Sequence, residues 1–221
     1  MAGKEMIDNQ ISQNWIRPVS SSPFGKLSKQ STILYNGNMP KWLSFLIQLF
    51  KKRKRYPNLL DIISIPIIQH QTHTYQSENY IIDHRKRWLK QGTLSTMQIS
   101  QLCDTVSTLW INGYHSWNGF NDRLPIDLVE GHINTSLLLI KPDTLSIWVK
   151  KEVHHVKIRA NFYFNHQQYR FVVTDPKIES LYRFKGEGEY PITKDIYLCI
   201  SLGEPFEGYC YKLVAAIINL N

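Results

Sequence analysis

Little in this chain is spaced for the commonest kinds of chemistry. Cysteine is scarce: Cys103, Cys199 and Cys210 are an odd set with no CxxC spacing, which argues against a disulfide framework and a zinc ribbon. There is no Walker loop, GxSxG elbow, HExxH or glycine-rich dinucleotide motif, so the enzyme classes those signatures mark have no foothold here. Long apolar runs are missing too. The longest, 42–50, is too short to span a bilayer. The opening MAGKEMIDNQ lacks the apolar core of a secretory leader, and the cytoplasm is the expected compartment.

Acid is the scarcer charge, with 18 Asp/Glu against 26 Lys/Arg and a net charge of +8. The excess is local: residues 41–91 hold ten Lys/Arg and three Asp/Glu, so +7 of the +8 lies there. A localised basic region is the footprint an anionic partner needs, and also what a solvated charged face looks like. Hydrophobic residues make up 43% of the 221 and aromatics 12%, enough to expect a packed core in one large or two small domains.

The most unusual stretch is 108–124, TLWINGYHSWNGFNDRL. It is too aromatic for a solvated loop and too rich in Asn, Gly and Asp for a core strand. Glycine permits close backbone approach, and Asn and Asp stabilise turns. The stretch reads as an ordered, irregular connection between two structured halves, either a packed plug between domains or a binding site.

On its N-terminal side, Trp15-Ile16-Arg17 ends a strand at Pro18, and 20–25 is a turn cluster. Arg17 beside Trp15 suits an anion contact stacked on a ring, or a strand-edge arginine. PKWLSFLIQLFKKRKR (40–55) is an amphipathic helix candidate, with Pro40 in its first turn and Lys51, Lys52, Arg53, Lys54 and Arg55 at its basic end. That basic patch is a solvated helix end, a nucleic-acid backbone contact or a membrane-surface anchor. LLDIISIPIIQ (59–69) reads as a buried strand that Pro66 confines to an edge or bulge. His70 and His73 follow at HxxH spacing, which without further ligands makes no metal site. Residues 84–107 read as two helices broken at Gly92.

Beyond 135 the pattern is that of strands: SLLLIKP, DTLSIWVKK, HHVKIRANFYFN with its hairpin partner HQQYRFVVTD, then IYLCISLGE and YCYKLVAAII joined through PFEG. In the third, Val156, Ile158, Ala160, Phe162 and Phe164 alternate onto one face. Short strands joined by turns predict a small barrel or sandwich.

NWIRPVSSSPFGKLS, LLDIISIPI, YQSENYIID, LWINGYHSWNGFNDRL, SLLLIKPDTLSI, YRFVVTDPKIE and CISLGEPFEGYCYKLVAAII occur in the order and character of bacterial dual OB domain proteins, which the chain resembles over most of its length. The last motif and the central stretch are the most specific. The resemblance implies a mainly β, α+β chain: two OB-like small β-barrels, residues 1–83 and 135–221, joined by a helical linker and the aromatic stretch over 84–134. Relatives of this kind begin with a further strand ahead of the segment matching MAGKEMID, so either the reading frame starts late or the first barrel is incomplete. Residues 35–55 are longer and more basic than the acidic linker usual there. The implied activity is nucleic-acid binding, DNA or RNA with single strands preferred, in a bacterial DNA-repair or defence setting with a protein partner encoded nearby. A protein-interaction or nucleotide-sensing module is the alternative.

OB barrels bind single strands with a basic groove and stacking rings. The matching residues are Trp15, Arg17, Tyr75, Tyr114, Trp117, Arg123, Tyr211 and Lys212, with Trp110, Tyr169 and Arg170 of similar type. Gln76, Glu78, Asn79, Asn118, Asp122, Asp175 and Glu204 are candidates for reading base edges; the carboxylates among them suit turn capping and pairing with Arg17, Arg123 and Lys212 equally well. Asp143 with Asp175-Pro176-Lys177 superficially resembles a metal-dependent nuclease, but Pro176 would break the strand such a site needs. No enzyme activity, cofactor or metal is expected.

Overall fold

Two-residue turns set much of the strand pairing. Asp8-Asn9, Asn165-His166 and Glu207-Gly208 all have positive φ at both positions, and each closes an antiparallel hairpin. Mirror-image turns of this kind match the twist of the strands they join. The computed structural model describes residues 1–21, 27–28, 31–36, 55–152 and 155–219. The expected basic helix, and with it Lys51, Lys52, Arg53 and Lys54, lies outside the described residues. Arg55 is exposed and bridges Leu34.

The chain is mainly β and divides into two units, Met1–His73 with Glu78–Gln101, and Thr74–Ser77 with Leu102–Asn221. In the first unit, β1 (Gly3–Ile7), β2 (Gln10–Val19), β5 (Ile67–His70) and β6 (Asn79–Ile82) form a sheet in the order β1-β2-β6-β5. A second sheet, β3-β7-β4, is built from β3 (Leu34–Asn36), β4 (Asp61–Ser64) and β7 (Trp88–Thr93). Leu34 and Trp88 of this sheet form a buried cluster with Ile82 of β6.

Two expectations fail here. The single buried strand over 59–69 is two strands in different sheets, β4 and β5, and β5 is exposed along its whole length. Ile65 and Pro66 lie between them, and proline cannot donate to a ladder. The two helices expected over 84–107 are instead β7 and a 3-10 helix, Thr96–Leu102. Pairing of β7 with β3 on one side and β4 on the other overrides the local helical pattern.

The second unit holds β8 (Arg123–Pro125), β9 (Leu137–Ile140), β10 (Thr144–Glu152), β11 (His155–Phe164), β12 (Gln167–Val173), β13 (Gly188–Ile192), β14 (Ile196–Phe206) and β15 (Tyr209–Asn219). Their order is β13-β10-β11-β12-β15-β14-β9, with β8 against β15. Among the described residues the ladder is not closed into a ring by hydrogen bonds; its ends are β13 and β9. β12 and β15 pair in parallel, at Val172–Leu213 and Val173–Val214. Two short helices interrupt the strands, α1 (Ile126–Val129) and α2 (Pro176–Tyr182).

The alternation read in β11 holds from Ile158 onward: Ile158, Ala160, Phe162 and Phe164 are buried, with Ile147, Val149, Tyr169, Phe171, Leu198 and Val214, whereas Val156, expected on the same face, is exposed where β11 pairs with β10 alone. Phe162, Tyr169 and Phe171 pack with ring centroids 5.2–5.5 Å apart. A second cluster gathers Tyr75, Leu124, Val129, Ile133, Leu202 and Cys210. Trp110 packs against both clusters, and its indole N–H donates to the Thr135 carbonyl at 3.0 Å. Trp110→Ala should destabilise the fold by about 3–5 kcal/mol, as other large-to-small core deletions do. Denaturant unfolding checks this.

Candidate nucleic-acid interface

The stretch 108–124, expected to join two halves, belongs wholly to the second unit. It fills the space beside β12 and β15. Phe120 exchanges both backbone hydrogen bonds with Arg170 of β12 (3.2 and 2.9 Å). The Asn121 amide donates to the Gln168 carbonyl, and β8 pairs with β15 from Arg123 to Pro125. Between these anchors the chain makes a tight loop. The Ser116 N–H donates to Asp122 Oδ1 at 2.7 Å, and the Ser116 hydroxyl donates to Asp122 Oδ2. His115 Nδ1 accepts from the Asn121 N–H at 2.8 Å, so this nitrogen carries no proton. Gly119 is required by close approach: a β-carbon there would overlap the Asp122 carboxylate. Trp117 is 96% exposed, yet both its chain neighbours are tied down, Ser116 to Asp122 and Asn118 to β10.

That second tie leads to the outer face of the β10–β11–β12 sheet. Asn118 Nδ2 donates to Glu152 Oε1 at 2.9 Å, and Lys150 Nζ donates to Asn118 Oδ1 at 3.3 Å. Glu152 pairs with Arg159 at 2.8 Å. Trp148 lies at the centre, with Arg170 4.5 Å, Lys150 5.2 Å and Arg159 5.8 Å from its ring. Such cation–π contacts each contribute about 0.5–2 kcal/mol. On the far side Glu189 accepts from the Ser146 hydroxyl and from Asn161 Nδ2. Burial alone would raise the Glu152 carboxyl; hydrogen bonds from Arg159 and Asn118, with the charges of Arg159 and Lys157, outweigh it and hold it below the usual carboxylate range. Glu189 is held low by its hydrogen bonds from Ser146 and Asn161, against the effect of burial and with help from the Arg170 charge. Both acids therefore stay ionised, Glu152 holding Arg159 and Glu189 holding Ser146 and Asn161.

Arg159 is only 6% exposed, and the buried Nε atoms of Arg159 and Arg170 have no hydrogen-bond acceptor among the described residues. A buried donor without a partner costs about 1–3 kcal/mol. Two such donors lie buried beside one tryptophan.

The other candidates are scattered. In the first unit Trp15 is half-buried with Lys4 Nζ 4.7 Å from its ring. Arg17 pairs at 3.0 Å with the buried Glu78, and Asn79 is buried next to it. In the second unit Tyr75 is core, its hydroxyl donating to the Gly203 carbonyl at 2.7 Å, so its ring has no face free for a base. Gln76 is buried and donates to the exposed Glu204. Tyr169 is fully buried, whereas Tyr114 and Tyr211 are half-buried. Arg123 stacks on Tyr209 at 4.0 Å. Asp175 is not a ligand carboxylate on a strand but the N-cap of α2, accepting from the Lys177 and Ile217 N–H groups. Asp143, the other half of the nuclease-like pair, accepts from the His166 N–H in the β11–β12 turn.

Lys212 is buried beneath the loop rather than exposed on a groove. Its Nζ donates to the Ile111 carbonyl at 2.8 Å and to Asn112 Oδ1 at 3.4 Å, over the rings of Tyr169 and Phe171. Burial pushes it down from 10.5 to about 7, against the pull of Asp122.

Sequence reasoning missed Trp148, Lys150, Glu152, Arg159, Asn161 and Glu189. The signal was present: the alternation that points Ile147, Val149, Ile158 and Ala160 inward points Trp148, Lys150, Arg159 and Asn161 outward.

Two expectations follow from this geometry. Between pH 7 and 10.5 the unfolded chain holds a proton at Lys212 that the folded chain releases, so the Lys212 contribution to stability rises with pH across that window. Below 7 both states are protonated and the cost of burying the charge is present in full. Lys212→Met should abolish the rise, read as the difference in denaturant midpoint between pH 7 and pH 10. Gly119→Ala should displace Asp122, release Ser116 and cost about 1–3 kcal/mol in thermal or denaturant unfolding.

No curated protein and no solved structure matches the chain. A family model described as dual OB-containing domain matches residues 48–217, which include the loop and the whole Trp148 face. The chain belongs to the dual OB-containing domain family.

Proposed function

We propose that this protein is a nucleic-acid-binding module that acts without turnover and prefers single strands. The observation that carries this is the Trp148 face: a ring surrounded by Lys150, Arg159 and Arg170, two of them with an orphaned donor, and flanked by the exposed Trp117. Single-strand binders combine stacking rings with cations that follow the backbone. In an OB-fold, a partly open Greek-key barrel, the ligand lies on the face of the second and third strands. We read β9 and β10 as two halves of a first strand interrupted at Lys141–Asp143, β11 and β12 as the second and third, and β14 and β15 as the closing pair. On that correspondence the Trp148 face lies where an OB ligand lies. The first unit is taken as the other OB-like domain of the pair. A bacterial DNA-repair or defence setting, with a partner encoded nearby, goes with this proposal.

Stacking makes the two rings the sensitive positions. Trp117→Ala and Trp148→Ala should each cost about 1–3 kcal/mol of single-strand affinity. Trp117→Ala should leave the thermal midpoint unchanged, because that side chain is almost wholly in solvent. Fluorescence anisotropy with single-stranded DNA, single-stranded RNA and duplex, at two salt concentrations, checks affinity and preference together. Wild-type affinity in both tryptophan variants would remove the face from the binding site.

A further inference from the structure

β11 outruns its partner. Its pairing with β12 covers Arg159 to Phe164, while its first residues, His155 to Ile158, pair with β10 alone. On the other side β12 turns away at Val173 to join β15, and the chain enters α2 through Asp175. The strands therefore splay, and a cavity of about 480 Å³ opens between the start of β11 and α2. Lys157, His155, Thr174 and Arg183 line it, and Glu179 is the one acid among its lining residues. Neither Lys157 nor Arg183 has an ion-pair partner among the described residues.

The cavity continues the Trp148 face. Lys157 is two residues from Arg159 on β11 and directly opposite Lys150 on β10. A two-residue step along a strand is about 6.8 Å, close to the span of one unstacked nucleotide. The outward positions of β11 thus run Asn161, Arg159, Lys157, from amide to cations, and end in a cleft lined by a hydroxyl and a second cation. A ligand one or two nucleotides long, seated on Trp148, would leave that cleft unused.

We propose that the ligand is an extended single-stranded oligonucleotide rather than a nucleotide or dinucleotide, and that the cleft between β11 and α2 takes its phosphodiester backbone beyond the aromatic face. The proposal rests on the Trp148 face being the nucleic-acid surface. The cleft offers phosphate two cations that stand outside any ion pair among the described residues, Lys157 and Arg183, with the Thr174 hydroxyl and the His155 imidazole, set among Val156, Ile158, Val172 and Val173. It extends the footprint toward the range of about 4–16 nucleotides that a single OB-fold covers.

The test compares random-sequence single strands of 3 and 12 nucleotides, as DNA and as RNA, on the full chain by anisotropy over a salt series. The proteins are the wild type, Trp148→Ala and the double variant Lys157→Ala/Arg183→Ala, each checked for an unchanged melting temperature. For the double variant the 12-mer should weaken by about tenfold, and the slope of log affinity against log salt should fall by about 1.4, the effect of two lost phosphate contacts on a single strand. The 3-mer should be unaffected. Equal 12-mer binding by the double variant and the wild type would overturn the cleft, as would an equal loss on both lengths. If Trp148→Ala loses both lengths while the double variant loses neither, the face stands and only the cleft fails. A wild type that binds no single strand overturns the face and the cleft together.

Discussion

β12 and β15 meet in parallel at two positions, Val172 with Leu213 and Val173 with Val214, and the rest of the second unit depends on what closes the gap beyond them. A sheet opened there would expose the N–H and C=O groups of both strands and the rings of Tyr169 and Phe171. The 108–124 stretch closes it from both sides. Phe120 takes the free edge of β12 at Arg170, β8 takes β15, and the Lys212 N–H donates to the Asp122 carbonyl between them. Aromatic residues cover the apolar part of the gap, while asparagine, aspartate and backbone groups satisfy its polar part. This accounts for the composition that makes the stretch unlike either a loop or a strand.

The same closure positions the candidate site. Asp122 holds Ser116 through two hydrogen bonds and lies against Gly119, and Asn118 reaches Glu152 and Lys150 on the sheet. Trp117 is thus presented to solvent by residues that also hold the sheet together. Ordering an exposed ring before a ligand arrives lowers the entropic cost of binding. Lys212 works from below, donating to Ile111 and Asn112 where the loop begins. The price is a buried amine whose charged form is disfavoured, a cost that the two hydrogen bonds and the Asp122 charge offset in part.

Much of the second unit was legible in the sequence because one side of each strand is core. Alternation over 154–165 located β11 and its buried face, and the tight turn at 165–166 set its partner. The candidate site was less legible for the same reason. Attention to the apolar half of the pattern leaves the other half as undifferentiated surface, and that is where Trp148, Arg159 and Arg170 converge from three strands. No local pattern announces a cluster assembled across strands. Tyr75 misled in the opposite direction: its polar neighbours Gln76 and Ser77 suggest a surface, but its ring is core and its hydroxyl is satisfied by the Gly203 carbonyl, 128 residues away. The strand β7 was hidden because its pairing partners, β3 and β4, lie at least 24 residues upstream, so a window of local periodicity contains neither.

Charge also looks different once it is placed. The sequence concentrates its excess over 41–91, yet the assembled face is in the second unit and is close to balanced, with Lys150, Arg159 and Arg170 against Glu152 and Glu189. Balance suits recognition better than attraction. A strongly positive face would draw any polyanion with similar energy, whereas here each carboxylate spends itself on holding a neighbour, Glu152 on Arg159 and Asn118, Glu189 on Ser146 and Asn161. The result is a rigid ring with its cations oriented and two of their donors still unspent. On the proposed nucleic-acid surface, stacking and directed hydrogen bonds would outweigh diffuse charge, and Lys157 and Arg183 would add phosphate contacts beyond the ring.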